Sequence, residues 1–284
     1  MRPRHYLHAL TAFLLLGLYS IGSEKPFFFI QLTDPQFGMY AADADFAQES
    51  ANFAFAIATA NRLKPAFVIV TGDLINKAGD PAQASAYLSA CSRLDRSIPL
   101  YNVAGNHDVG NKPTPESIAA YTALFGPDHY SFRSGGMIGI VLNSTLIHSP
   151  QSAMQQYQAQ ETWLETELEK AKKDGAGHIV IFQHHPWFLK EPDEPDQYEN
   201  IPRARRSRYL DLFRRYGVTH LFSGHYHRNQ VAHYGPMELI VTGPIGMPLG
   251  KEKSGMRMVI LRDTGFEHRY YEMGEIPNRI EISR

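Results

Sequence analysis

The sequence predicts an α/β fold in four layers, α-β-β-α, with two mixed β-sheets stacked face to face and flanked by helices. Three observations carry this. Apolar runs alternate with helical patterns across residues 27–125, as expected of parallel strands covered by helices. Four further strand patterns follow one another across residues 230–271 without helices, which calls for a second sheet. Five apolar runs end in the same narrow set of side chains, Asp, Asn, Gln and His, which would line one edge of an α/β sheet.

In chain order, Phe27–Leu32 is an apolar strand stopped at Thr33-Asp34-Pro35-Gln36, because Pro35 cannot continue a central strand. Residues 45–63 are Ala-rich and helical, ending before Pro65. Residues 66–70 form the next strand, closed by Thr71-Gly72-Asp73. Asp80 caps a helix over residues 81–94. Residues 98–103 are a third buried strand, giving way to a loop at Gly105-Asn106-His107-Asp108. A short helix covers Pro115–Phe125. Residues 130–133 and 137–144 pair as strands across a Gly135-Gly136 turn. Residues 155–173 carry an amphipathic helical pattern through Trp163, Leu164 and Leu168. His178–Phe182 is a strand ending at Gln183-His184-His185-Pro186, followed by a polar, Pro-rich surface loop over residues 190–202. Arg203–Tyr216 is a helix with a basic face. Residues 218–222 form a strand ending at Ser223-Gly224-His225-Tyr226-His227. Strands at 230–233, 238–241, 256–261 and 266–271 complete the chain. No linker interrupts residues 23–284, which read as one domain.

Composition narrows the function classes. A hydrophobic fraction of 43% and a charged fraction of 20% are those of a globular protein with a core. A net charge of -1 offers no basic field for nucleic acid. The lone Cys91 excludes an internal disulfide and a Cys-based zinc site, so any metal must be held by the 13 His and by Asp, Asn or Gln. Arg2, Arg4 and His5 precede an apolar run over residues 9–19, and Ser20, Gly22 and Ser23 follow, the pattern of a signal peptide over residues 1–22. The run is short for a membrane span, so no stable span is expected after cleavage. The mature chain is expected to be exported, periplasmic or secreted, or membrane-anchored if the segment stays uncleaved.

The chemistry lies at the five strand ends: Asp34 with Gln36, Asp73, Asn106 with His107, His184 with His185, and His225 with His227. Gly and Asn alone are ordinary turn residues, but turn chemistry does not explain this set recurring at five ends. Oxygen donors and imidazoles without thiolate suit Mn, Fe or Zn. Asp73 could bridge two ions roughly 3.5–4 Å apart, as two-metal hydrolases require. His225 and His227 stand two residues apart and would face the same side of an extended chain.

In this order Asp-x-Gln, Gly-Asp, Gly-Asn-His-Asp, His-His-Pro and Gly-His-x-His resemble the calcineurin-like metallophosphoesterases over residues 27–271. The Asp34-Pro35-Gln36 block is similar to a serine/threonine phosphatase subgroup with that domain. The resemblance implies two divalent or trivalent ions, one held by Asp34, Asp73 and His227, the other by Asp73, Asn106, His184 and His225. It implies that His107 contacts the phosphate and protonates the leaving oxygen, with Asp108 available to orient it. Two departures stand out. Most of the family carries His where Gln36 stands, so Gln36 would be a weaker metal ligand or a substrate contact. Purple acid phosphatases carry Tyr where Asn76 stands, so no tyrosinate colour is expected.

The reaction then expected is hydrolysis of phosphate monoesters by a metal-activated hydroxide, on a phosphorylated small molecule or a phosphoprotein. The alternatives are a phosphodiesterase acting on cyclic nucleotides or phospholipid head groups, and a non-catalytic metal-binding module. Asn106 and His107 are expected to touch substrate, and Tyr198, Asn200 and Arg203, in or beside the loop after His184-His185-Pro186, are further candidates.

Overall fold

The computed structural model describes residues 25–262 and 265–282, so the signal-peptide expectation lies outside the described residues. Among the described residues, no helix is long and apolar enough to cross a membrane.

Two mixed sheets form the centre. The strands are β1 (Phe27–Leu32), β2 (Val68–Val70), β3 (Leu100–Asn102), β4 (Tyr130–Ser134), β5 (Met137–Val141), β6 (His178–Phe182), β7 (Val218–Ser223), β8 (Gln230–Tyr234), β9 (Met237–Val241), β10 (Gly255–Arg262) and β11 (Gly265–Glu272). The first sheet runs β11-β10-β1-β2-β3 and the second β4-β5-β6-β7-β9-β8. Strands β1, β2 and β3 are mutually parallel, as are β5, β6, β7 and β9. Their carboxyl ends therefore emerge on a common edge of each sheet. The remaining strands pair antiparallel: β10 to β1, β11 to β10, β4 to β5 and β8 to β9.

The helices are α1 (Ala47–Leu63), α2 (Pro81–Cys91), α3 (Asn106–Val109), α4 (Pro115–Phe125), α5 (Ser144–His148), α6 (Met154–Lys173) and α7 (Arg203–Tyr216). Side-chain alternation sorts the layers. Phe28, Ile30 and Leu32 of β1 pack with Phe53, Ile57 and Tyr87 of α1 and α2. Between them Phe29 faces the second sheet, stacking on Phe67 beside β2 at a centroid distance of 4.6 Å and meeting Phe182 and Phe222 of the second sheet at 5.8 and 5.6 Å. Each such ring contributes roughly 1.5–3 kcal/mol by burial. On the far side Leu164, Leu168, Leu210 and Phe213 of α6 and α7 cover Ile179 and Ile181 of β6.

Near the strand ends the space between the sheets turns polar. Gln31, fully buried, donates through Nε2 to Thr71 Oγ1 (3.0 Å) and Ser223 O (3.1 Å), and accepts from Thr242 Oγ1 (2.7 Å). This amide ties β1 to the ends of β2 and β7, the strands that present Asp73 and His225.

The structure departs from the sequence reading in three places. The strands expected at 66–70 and 98–103 shorten to three residues each, although the bonds from Ala66 N to Phe28 O and from Val103 N to Val70 O continue the pairing. The strand expected over 137–144 stops at Val141, because Asn143 caps α5 by accepting from Leu146 N at 3.1 Å. The loop expected after β3 winds into α3, with Gly105 as its N-cap.

Candidate metal centre and active site

The five strand ends converge. Ligand atoms of Asp73, His184 and His225 lie within 4.8 Å of one another, as do those of Asp34, Asp73 and His227, and all of these residues are buried. Asp73 belongs to both groups. His184 Nε2 stands 3.2 Å from Asp73 Oδ2 and 3.0 Å from Asn106 Oδ1, which adds an amide oxygen to one group. His227 Nε2 stands 3.4 Å from Asp34 Oδ1.

The backbone is strained to achieve this. Asp34, Gln36, Asp73, His225 and His227 have φ of 48°, 43°, 50°, 67° and 52°, left-handed values that L residues rarely adopt. Such conformations persist where the surrounding structure enforces them. Here Thr33 Oγ1 donates to Asp34 Oδ2 (2.6 Å) and His225 N to the same oxygen (3.1 Å). His107 N donates to Asp73 Oδ1 at 2.8 Å. Close approach is the second demand. A methyl at Gly105 would fall on the Asp73 backbone and carboxylate, and one at Gly224 on Thr33 and Asp34.

Backbone carbonyls set which imidazole nitrogen faces inward. A carbonyl can only accept, so Nδ1 of His184 donates to Thr71 O (2.9 Å) and Nδ1 of His227 to Met247 O (2.6 Å), which leaves Nε2 to ligate. His225 is reversed. Its Nε2 donates to Tyr198 O (3.0 Å), which leaves Nδ1. Gln36 is buried and its Nε2 donates to Asn76 Oδ1 (3.1 Å), but its Oε1 has no hydrogen-bond partner. A buried acceptor left alone costs about 1–3 kcal/mol. Two carboxylates, three imidazoles, an amide oxygen and this orphaned oxygen fit a pair of metal ions.

A sequence profile described as calcineurin-like phosphoesterase matches residues 29–229. The chain belongs to that family. It is a hydrolase of phosphoric esters with a dinuclear metal centre. It is 37% identical over 272 residues to the human serine/threonine-protein phosphatase CPPED1, covering 90% of this chain and 87% of that one. Its fold matches a purple acid phosphatase from yellow lupin seeds at a TM-score of 0.68, with 13% identity, over 89% of this chain and 52% of the other. It also matches a dimetal phosphatase from Danio rerio at a TM-score of 0.58, with 15% identity, over 87% and 99%.

In this calcineurin-like phosphoesterase, electrostatics separate the imidazoles. Burial alone would depress His184, but the Asp73 and Asp34 carboxylates outweigh it and raise its pKa to about 9. Burial and the neighbouring His184 push His225 down to about 4. Burial would raise Asp73, yet His184, His107 and His225 hold it below the usual carboxylate range. At neutral pH, metal-free His184 therefore carries a proton that a metal must displace. Apparent affinity is expected to climb roughly tenfold per pH unit for each displaced proton. For His184 the climb levels off above about 9. Calorimetry at pH 7 in buffers of different protonation enthalpy reads that proton, and a buffer-independent heat contradicts its release.

The structure revises two expected roles. Asp108 does not orient His107. Its Oδ1 accepts from Leu74 N (2.9 Å) and Ile75 N (3.1 Å) and its Oδ2 from Gly105 N (2.8 Å), so it fastens the Asp73 and Asn106 loops together. His107 is instead held by Nδ1 donating to Asn76 O at 2.6 Å. Asn200 is fully buried, and its amide is committed to Gln197 N, Glu194 Oε1 and Pro195 O, so it braces its loop rather than meeting substrate. Arg203 is exposed at the start of α7, its backbone N donating to Asp196 Oδ1, and among the described residues no hydrogen bond or ion pair ties its side chain to the metal-facing groups. Tyr198 does reach them, its hydroxyl accepting from Asn106 Nδ2 at 3.0 Å.

Ser144 has a role that the sequence did not reveal. Its Oγ accepts from His184 N (3.1 Å) and His185 N (2.8 Å) and bonds His185 Nδ1 (3.1 Å). The Asn143 cap was the available signal, since it puts Ser144 at the first turn of α5. The carbonyls of Thr71, Asn76, Tyr198 and Met247 left no signal, because every residue type carries one.

Proposed function

We propose that this chain hydrolyses phosphate monoesters, on a phosphoprotein or a phosphorylated small molecule. One ion would be held by Asp34, Asp73 and His227 with Gln36 Oε1 beside them, the other by Asp73, Asn106, His184 and His225. The single observation that carries this is the sharing of Asp73 between two ligand groups, with His107 anchored to the same carboxylate. Mn, Fe and Zn suit the donor set. A phosphoprotein substrate is supported by the 37% identity to a serine/threonine-protein phosphatase.

When loaded, the centre supplies a water acidic enough to lose its proton near neutral pH and positive charge for the phosphoryl oxygens. The chain's own residues do the rest. His107 gives a proton to the leaving oxygen from Nε2, because Nδ1 is fixed on Asn76 O. The bond from His107 N to Asp73 holds that imidazole in register with the ions. Asp108 keeps the two loops at fixed separation, so the proton donor and the ligands move as one body.

Purified protein supplied with Mn2+ is expected to cleave para-nitrophenyl phosphate and a phosphoserine peptide at least tenfold faster than bis-para-nitrophenyl phosphate, on the order of one well-made contact. Preference for the diester rejects the monoesterase reading. Turnover of the nitrophenyl ester with none of the phosphopeptide confines it to small molecules.

A further inference from the structure

Twenty residues separate β6 from α7, 183–202, and they form neither helix nor strand. A connection of that length within a compact fold is functional or disordered. This one is held along its length. Trp187, Phe188 and Ile201 are buried in the core beneath the second sheet. The Glu194 carboxylate accepts from Leu189 N (2.8 Å), Lys190 N (2.9 Å) and Asn200 Nδ2 (2.7 Å). Arg206 of α7 is fully buried and donates to the carbonyls of Ile201 (3.0 Å), Pro192 (2.9 Å) and Glu194 (2.9 Å).

Out of this frame Tyr198 projects, 54% exposed. It touches two other segments. Its hydroxyl accepts from Asn106 Nδ2 and its carbonyl from His225 Nε2, both at 3.0 Å, and its ring lies 4.8 Å from the His225 ring. Both contacts make a choice. An asparagine amide can ligate only through oxygen, and with its nitrogen tied to Tyr198 the oxygen faces His184 Nε2. An imidazole ligates through the nitrogen that its hydrogen bond leaves over, here Nδ1 of His225. Asp34 and His227 of the other ligand group take their orientation elsewhere, from Thr33 and Met247.

We propose that Tyr198 is a positioning residue for one ion of the pair: it selects the ligating face of Asn106 and the ligating nitrogen of His225, and the Arg206–Glu194–Asn200 frame holds it in place. This rests on the two-ion reading above. The loop is then part of the metal centre rather than a rim around it. Substrate specificity that evolves in this loop must preserve the tip.

Manganese titration of the full chain by calorimetry tests this, since Tyr198→Phe keeps the ring and the carbonyl and removes only the hydroxyl. The variant is expected to bind one Mn2+ about tenfold more weakly and the other unchanged, as a lost outer-shell partner does. Its kcat falls at limiting Mn2+ and recovers at excess, with KM constant. In an Asn106→Ala background the same substitution is expected to add nothing. Two unchanged Mn2+ affinities overturn the proposal, and unchanged affinities with a raised KM place Tyr198 on the substrate instead. Fewer than two Mn2+ on the wild-type chain overturn the two-ion reading itself, before any variant is compared.

Discussion

Asp73→Ala is expected to remove both metal ions and to lower turnover by on the order of 10³-fold or more, since two-ion chemistry loses its water and its charge together. No other residue stands in both ligand groups. Its second effect falls on the metal-free protein. Asp73 Oδ2 lies 3.2 Å from His184 Nε2 and both side chains are buried, so removing it leaves a buried imidazolium facing Asp34 at 4.0 Å. Removing one partner of a buried pair costs about 3–5 kcal/mol unless the survivor discharges. His184 can discharge, so the expected loss lies below that range and shrinks as pH rises. Asp73→Asn keeps an oxygen to accept from His107 N and removes the charge, so it tests the charge apart from the anchoring of His107. Metal content after dialysis, kcat with Mn2+, and thermal unfolding at pH 6 and pH 9 read the three quantities. A variant that retains two ions refutes the shared role of Asp73.

His107→Ala is expected to leave both metal ions in place and to slow hydrolysis by about 10²–10⁴-fold for substrates with a poor leaving group, the ordinary contribution of a general acid. The geometry separates it from the ligands. Its Nδ1 is taken by Asn76 O, its backbone N by Asp73, and it belongs to neither ligand group. The informative readout is the leaving group. Serine phosphate departs as an alkoxide and needs the proton, whereas para-nitrophenolate departs without one. The loss is therefore expected to be large on a phosphoserine peptide and small on para-nitrophenyl phosphate. Equal losses on both refute proton donation, and loss of a metal ion refutes the separation of His107 from the ligands.

Much of the centre was legible because its chemistry restricts residue type. Asp34, Asp73, Asn106, His184, His225 and His227 could be picked out at the ends of apolar runs, since few side chains bind hard metals and few of those end buried strands. The glycines before Asp73, Asn106 and His225 were visible too, and the structure supplies their reason at Gly105 and Gly224, where no methyl fits. The resemblance made Asp108 available to orient His107, and the folded backbone gives it another task. In α3 three backbone N–H groups claim the Asp108 carboxylate, while His107 Nδ1 bonds Asn76 O. Asn200 was misread because a polar residue in a loop looks like a surface residue, while this loop is packed about its own amides.

The sequence by itself determined the layer order and which residue types gather at the ends of the strands, because hydrophobic period and donor chemistry are properties of residues taken a few at a time. Only the tertiary structure decided which nitrogen of each histidine faces the metals, what holds His107, and that Tyr198 reaches across to Asn106 and His225. Those outcomes depend on backbone carbonyls and on segments as much as 113 residues apart, as between His184 and Thr71. A carbonyl has no letter in the sequence, and its direction exists only once the chain is folded.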